Sequence, residues 1–387
     1  MKKKCLLIVP FFVHYRKHFL DELFSHDFDC GWEFELVGDF ENTYGIKGID
    51  PKYAHMSRDK GGYNWTIVKD YLPLGKKFPI HWQPGVIKRI FKRDYDAVIM
   101  IGSIFYVSYL LCIPFLKVFR TPIVFWTHGF LGKDNFFIKF LRHFLYTQAK
   151  ACLLYGDRAN KIMNESGLYK NTKRYVIYNS LDYSKIKPTS EEFKIELRKK
   201  LFAKPDLPVV VAVGRINLEK KIDYLIEALS ISKYQHGKDF NLLIIGDGPE
   251  LETLKILAKE ANIERNINFL GEIYGEEVFN YLSISNLSVI PGNVGLSAMH
   301  AMAVGIPVVS HDNFNIQMPE FEAIQDGVTG SFYEYKNINS LVTKIHYWIF
   351  ENNDTRKTKR DCLNMIGKKY NIKYQLSVVK KCLENLP

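Results

Sequence analysis

The run VVVAVGRINLEKK (209–221) places two cations, Arg215 and Lys220, just beyond an apolar strand that ends at Gly214. At the carboxyl edge of a strand in an open α/β sheet, fixed positive charge suits a phosphate or pyrophosphate, and a helix beginning near Ile222 would aim its amino-terminal dipole at the same spot. A solvated turn between strand and helix would carry the same letters, so this run does not decide the matter alone. A second unit follows in NLLIIGDG (241–248), where Gly246 and Gly248 end an apolar run. Pro249 and Glu250 then open a helix with Leu251, Leu254, Leu257 and Ala258 on one face. INFLGE (267–272), LSVIPGNVGLS (287–297) and GIPVVSHDN (305–313) continue the series. Strand, glycine turn, helix and strand recurring in this way predict a doubly wound parallel sheet.

The elements that must hold these turns fit a chain of 387 residues, 47% of them hydrophobic, which has material for two cores. The reading is a first domain over 1–187, a second over 188–372 and a last helix over 373–387. The polar stretch 182–200 is expected as the linker. AVIMIGSIFYVSYLLCIPFL (97–116) is uncharged and long enough for a bilayer span. Its Gly102-Ser103 break and Pro114 favour a buried strand followed by a buried helix. MKKKCLLIVPFF has too short an apolar core for a secretory signal, and six scattered cysteines without metal spacing read as reduced thiols of a cytoplasmic protein.

Several ordered motifs resemble the GT-B glycosyltransferases of the family 4 type. VGRINLEKK is similar to their phosphate-binding segment and LLIIGDGPELETLK to the next unit, while AMAVGIPVVS and DGVTGSF resemble the sugar-nucleotide floor. VPFFVHYRKHF (9–19), FWTHGF (125–130) and IYNSLD (177–182) resemble acceptor-side loops of bacterial members. The resemblance implies an α/β protein with two Rossmann-like doubly wound domains facing across a cleft. It implies that Arg215 and Lys220 neutralise the donor diphosphate and that His128 stands near the reacting sugar. Donor binding would draw on Gly214, Gly246, Asn179, Gly292, Asn293, Gly295, Leu296, His300, Glu320 and Glu322, and the acceptor side on His14, Tyr15 and Arg16. The last helix would cross back to the first domain.

One departure stands out. The family pattern has two glutamates with seven residues between them, and the matching positions here are Gly292 and His300. A neutral imidazole can still bond a ribose hydroxyl, and Gly292 with Gly295 could offer backbone N–H groups to sugar or phosphate. Asp312, Asn313, Gln317, Glu320 and Glu322 are candidates for the missing sugar contacts.

Charge divides unevenly. Residues 1–190 hold 29 Lys and Arg against 17 Asp and Glu, a net of +12, whereas residues 191–387 hold 24 against 25. No nucleic-acid motif organises these cations. An anionic membrane surface fits better, because VIKRIFKR (86–93) and FFIKFLRHFLY (136–146) both read as basic amphipathic helices. The expectation is a cytoplasmic, peripherally membrane-bound hexosyltransferase, retaining as the family resemblance implies. It would take a sugar from a nucleotide diphosphate donor to a glycan or polyprenyl-diphosphate-linked acceptor in bacterial surface polysaccharide synthesis. No metal and no cofactor beyond the donor are expected. A sugar-nucleotide 2-epimerase of the same architecture and a non-catalytic sugar-nucleotide-binding protein are the rival readings.

Overall fold

A computed structural model describes residues 2–41, 47–75, 77–130, 134–184 and 186–387. The chain forms two compact units, one of residues 1–182 with 371–387 and the other of residues 183–370. The first unit is built on seven strands: β1 (Lys3–Phe11), β2 (Trp32–Asp39), β3 (Trp65–Ile67), β4 (Ala97–Ile101), β5 (Ile123–Thr127), β6 (Ala151–Leu154) and β7 (Lys173–Val176). They pair in parallel in the order β3-β2-β1-β4-β5-β6-β7, with Cys5 opposite Phe34 on one side and Ala97 on the other. The second unit has β8 (Val209–Val213), β9 (Asn241–Ile245), β10 (Ile267–Phe269), β11 (Leu287–Ile290), β12 (Val308–His311) and β13 (Gly330–Tyr333), in the order β10-β9-β8-β11-β12-β13. Helices cover both faces, so the central strands are apolar throughout rather than alternating, and residues 5–8, 97–100, 151–154 and 209–212 are all buried.

In both sheets the strand order reverses beside the first strand, at β1/β4 and at β8/β11. The crevice beyond the carboxyl ends at such a reversal is where open α/β sheets bind ligands. The glycine turn after β8 and the aromatic loop after β1 both lie at these points. The helix Ile372–Glu384, capped by the Asn371 side chain on the Tyr374 N–H at 2.9 Å, buries Leu376, Val379, Cys382 and Leu383 in the core formed by β1 and its neighbours. It therefore completes the first unit from the far end of the chain.

Three local expectations change. Residues 191–201, expected within a linker, form a helix of the second unit, where Arg198 donates to the Ile284 carbonyl at 3.0 and 2.6 Å and to Asn286 Oδ1 at 2.9 Å. The stretch 86–93 is helical only over Pro84–Ile90. Phe91 caps it against Phe115 and Phe119, and Arg93 takes a left-handed φ of 58°, so Lys92 and Arg93 fall outside the helix. Phe136–Tyr146 is a helix, but its charged side does not face solvent as a unit: Arg142 turns inward beside Leu145 and Tyr146 and pairs with buried Asp134 at 2.8 Å. The apolar run over 97–116 resolves into strand β4 and the helix Val107–Val118. Among the described residues no helix is long and apolar enough to cross a membrane.

Candidate functional site

At the carboxyl end of β8, Gly214 adopts φ 144°, and Gly246 after β9 adopts φ 146°. A Cβ on Gly246 would lie 1.9 Å from the Gly214 carbonyl oxygen, so the two turns can approach only because the position is glycine. Arg215 follows, exposed to solvent. The Asn217 side chain accepts from the Lys220 N–H at 3.2 Å and closes a short 3-10 turn, Leu218–Lys220. Lys221, at φ 53°, then redirects the chain into the helix Asp223–Gln235. Arg215 and Lys220 line one narrow crevice of about 10 Å³, floored by residues of β8, β9 and β11.

Lys220 is tied to the loop after β11: its Nζ donates to the Asn293 carbonyl at 2.6 Å. Burial lowers its pKa, opposed by the nearby charges of Glu219 and Glu320. The same loop explains the first missing glutamate. A Cβ at Gly292 would stand 1.9 Å from the Glu219 carbonyl oxygen and 2.8 Å from the Lys220 Cα, so a side chain there would push the cation turn away. The Gly292 N–H donates to the Lys220 carbonyl at 3.0 Å. Gly292 thus does not offer that N–H to a ligand; it is the contact point between two loops. Gly295 precedes the helix Leu296–Ala303 as its N-cap, with open space around it, and Leu296 begins that helix. Gln317 also has a different place from the expected sugar contact. It is buried, accepts from the Val294 N–H at 2.7 Å, and donates to Ser310 Oγ at 2.9 Å and the His311 carbonyl at 3.1 Å, which clamps the loop.

His300 sits on that helix with its ring perpendicular to Tyr183 at 6.1 Å and across from Phe279 at 5.5 Å. Burial pushes its pKa down to about 4, which keeps the imidazole neutral near neutral pH, and Nδ1 is buried without a hydrogen-bond partner among the described residues. Asp312 accepts from the Tyr335 N–H at 2.9 Å, which ties the loop after β12 to the segment after β13, and Asn313 accepts from the Asn315 N–H at 3.3 Å, a local turn contact. Glu320 is buried and Glu322 partly exposed on the 3-10 turn Pro319–Ala323. Among the described residues no group of three or more His, Cys, Asp or Glu side chains gathers as metal ligands.

The first unit makes a different cluster. The Arg16 guanidinium lies over the Trp126 ring at 4.7 Å and the Tyr155 ring at 5.7 Å, and donates to Tyr155 Oη. His128 stacks on the other part of this group, its ring 4.3 Å from that of Tyr155 and tilted by 23°. Burial, then the charges of Arg16 and Arg142, push the His128 pKa down to about 4, and its Nδ1 is buried without a partner. The turn that presents it is held by Thr127 Oγ1, which receives the Gly129 N–H at 3.2 Å. Gly129 has φ 70°, and a Cβ there would come within 2.8 Å of Ala159 Cβ. Tyr15 is partly buried beside this group, whereas His14 is exposed with Nδ1 3.1 Å from the Lys47 carbonyl. Asn179 is partly buried in the first unit, between Tyr178, whose carbonyl accepts from Gln375 at 2.8 Å, and Ser180, which donates to Gln375 Oε1 at 2.6 Å. Tyr155 and Trp126 were not among the residues singled out by sequence. Their signal, an aromatic at each strand end, becomes meaningful only when β5 and β6 are paired.

With this geometry in hand, comparison with known proteins is informative. Residues 193–362 match the family described as glycosyl transferases group 1. An alpha-D-kanosaminyltransferase of Streptomyces kanamyceticus is 29% identical over 187 residues, 47% of this chain and 47% of that protein. An alpha-monoglucosyldiacylglycerol synthase of Acholeplasma laidlawii is 31% identical over 163 residues, 41% of this chain and 39% of that protein. The chain thus spans under half the length of these curated relatives. The crystal structure of Anabaena Alr3699/HepE in complex with UDP superposes with a TM-score of 0.73 over 99% of this chain and 100% of that one, at 17% identity, a likeness of fold. The fold expected from the resemblance holds: the two Rossmann-like units have the GT-B fold, and the match to the glycosyl transferases group 1 model falls within the second unit.

Proposed function

We propose that this protein transfers a hexosyl group from a nucleoside diphosphate sugar to a glycan or a lipid-linked glycan, in bacterial surface polysaccharide synthesis at the cytoplasmic face of the membrane. The observation that carries the reading is the joint placement of Arg215 and Lys220 on one crevice at the strand reversal of the second sheet. When the sugar–phosphate bond breaks, negative charge collects on the leaving diphosphate. Fixed cations beside it then stabilise the transition state more than the ground state. This role is the reason a metal ion is not needed in the scheme. An anion beside Lys220 also reverses the effect of burial on its pKa, so donor binding and full protonation of Lys220 reinforce one another.

Within the same reading, Gly295 and Leu296 present the open end of their helix to the donor, and His300 offers a neutral imidazole to the ribose. Arg16, Tyr155 and His128 form the acceptor-side surface, where His128 acts as an uncharged hydrogen-bonding group. Similarity to an alpha-monoglucosyldiacylglycerol synthase and to a phosphatidylinositol monomannoside mannosyltransferase of Mycolicibacterium smegmatis favours a lipid-borne acceptor, and the excess of cations in residues 1–190 favours an anionic membrane as the place of work. Retention of configuration is part of the proposal through the family resemblance. The test is a panel of nucleoside diphosphate sugars given to purified protein, scored by release of nucleoside diphosphate with and without lipid-linked acceptors. Release that depends on one donor and is accelerated by an acceptor is the expected result. Interconversion of the donor sugar with no acceptor would establish an epimerase instead.

A further inference from the structure

The helix Phe136–Tyr146 leaves an unusual side in water. Phe136, Phe137, Phe140 and Phe144 are 87%, 64%, 60% and 63% exposed, although each would contribute favourably if covered. Behind this stripe, and entirely within the first unit, lies a groove of about 710 Å³ between the helices Val107–Val118 and Phe136–Tyr146. Its walls include Phe78, Ile104, Leu110, Pro114, Leu141 and Phe144, and among the described residues no carboxylate lines it. The size suits a single flexible apolar ligand.

One end of the groove is polar. Lys117, whose Nζ donates to Gln148 Oε1, lines the groove together with Gln148, and the same two residues line a neighbouring pocket of about 690 Å³ that also holds Arg120 and Lys150. Among the described residues no Asp or Glu side chain lines that pocket, although Pro387 does line it. An apolar trough thus opens onto a cationic end, and the exposed phenylalanines border the trough. A peptide strand would need backbone partners that these helix side chains do not supply, and a second copy of the chain would bring no phosphate to the cations. The complementary molecule has one hydrocarbon chain ending in an anionic phosphate.

We propose that this groove binds the chain of a phosphate-bearing membrane lipid, with the phosphate at Lys117, Arg120 and Lys150 and the phenylalanine stripe seated among the neighbouring lipids. The proposal deepens the reading of the protein as a transferase working at a membrane, and rests on that reading for its biological sense. Of the two stretches expected at the membrane, it leaves the apolar contact chiefly to residues 136–144, because Val86 and Ile90 are buried and Phe91 is the exposed large apolar side chain of 86–93.

The purified full chain should bind dodecyl phosphate, below its aggregation threshold and measured by calorimetry, more tightly than inorganic phosphate. Leu110→Trp or Leu141→Trp, which fill the groove, should weaken that binding by on the order of tenfold while vesicle binding survives. Lys117→Glu with Arg120→Glu should weaken dodecyl phosphate and leave dodecanol little changed. Phe136→Ser, Phe137→Ser and Phe140→Ser together should abolish sedimentation with phosphatidylcholine vesicles containing phosphatidylglycerol and leave dodecyl phosphate binding in place. Equal affinity for dodecyl and inorganic phosphate, or indifference to both tryptophan variants, overturns the proposal. So does a dimer on gel filtration that the serine variants dissociate, since a second copy would then be the occupant. Binding of nucleoside diphosphate, measured on every variant, reports folding of the second unit. Its absence in the wild type would defeat the transferase reading while leaving the lipid result to stand or fall by itself.

Discussion

The two sheets reverse strand order in the same way, yet the cations at the two reversals are treated oppositely. Beyond β8, Arg215 is exposed and Lys220 reaches a single backbone carbonyl, so both retain donors for an incoming anion. Beyond β1, Arg16 is laid over two aromatic rings and bonded to a phenol, and the adjacent histidine is held uncharged. On the proposed reading, one architecture then serves concentrated negative charge at one reversal and a ligand with hydroxyls and apolar faces at the other. The difference comes from which residue follows each strand rather than from the sheets themselves.

The sharpest way to break this comparison is to remove the exposed cations. Arg215→Ala and Lys220→Ala should each lower turnover by on the order of a hundredfold, as loss of one preorganised transition-state donor does. Arg215→Ala should keep the wild-type melting temperature, because the side chain is exposed. Turnover near wild type in both variants would remove the diphosphate assignment. Next in size is Gly292→Ala. Its Cβ would meet the Glu219 carbonyl, and the forced separation of the two loops should cost about 1–3 kcal/mol in stability of the second unit, read by denaturant unfolding. A neutral outcome would show that the loops are not held in contact.

Acid should expose the other half of the comparison. His128 and His300 have folded pKa values of about 4 against ordinary values near 6.5. Their folded pKa is depressed, so the unfolded chain binds more protons between these limits. The stability this gives is complete above the unfolded value and lost as pH falls toward the folded one. The loss should reach about 1–2 kcal/mol per histidine by about pH 5. His128→Asn should flatten that acid limb, and an unchanged limb in both His128→Asn and His300→Asn would place the titration elsewhere. Smallest of all, His300→Ala should raise the apparent donor constant several-fold with little change in turnover, the signature of a contact equal in ground and transition states. An unaltered donor constant would make His300 a packing residue beside Tyr183 and Phe279.

Much of the second sheet could be read from sequence because its strands are short and mostly apolar, and β8, β9 and β10 lead into Gly214, Gly246 and Gly271, all at positive φ. The cations after Gly214 were legible for the same reason. The contact of Gly292 with Glu219 was not, since it joins loops seventy residues apart and leaves no local mark beyond a glycine. Tyr155 reaches Arg16 and His128 only through the pairing of β5 with β6, a non-local fact. Residues 136–146 carried a correct helical period, but period alone cannot say which apolar side is inside. The buried pair Asp134–Arg142 turns the helix so that the phenylalanines look outward. The helix at 191–201 was hidden by its own composition, because it is held to its unit by polar bonds of Arg198 and the Leu201 carbonyl and has no buried residue to announce it.

The return of Ile372–Glu384 to the first unit has a consequence for the birth of the molecule. During synthesis the strands β1–β7 emerge early but lack Leu376, Val379, Cys382 and Leu383, which fill the core beside Phe19, Leu20 and Leu36. The second unit, complete by Tyr370, can fold first even though it is made later. The early strands must wait with apolar surface uncovered, so a ribosome stalled before Asn371 would yield a chain with one finished half and one sticky half.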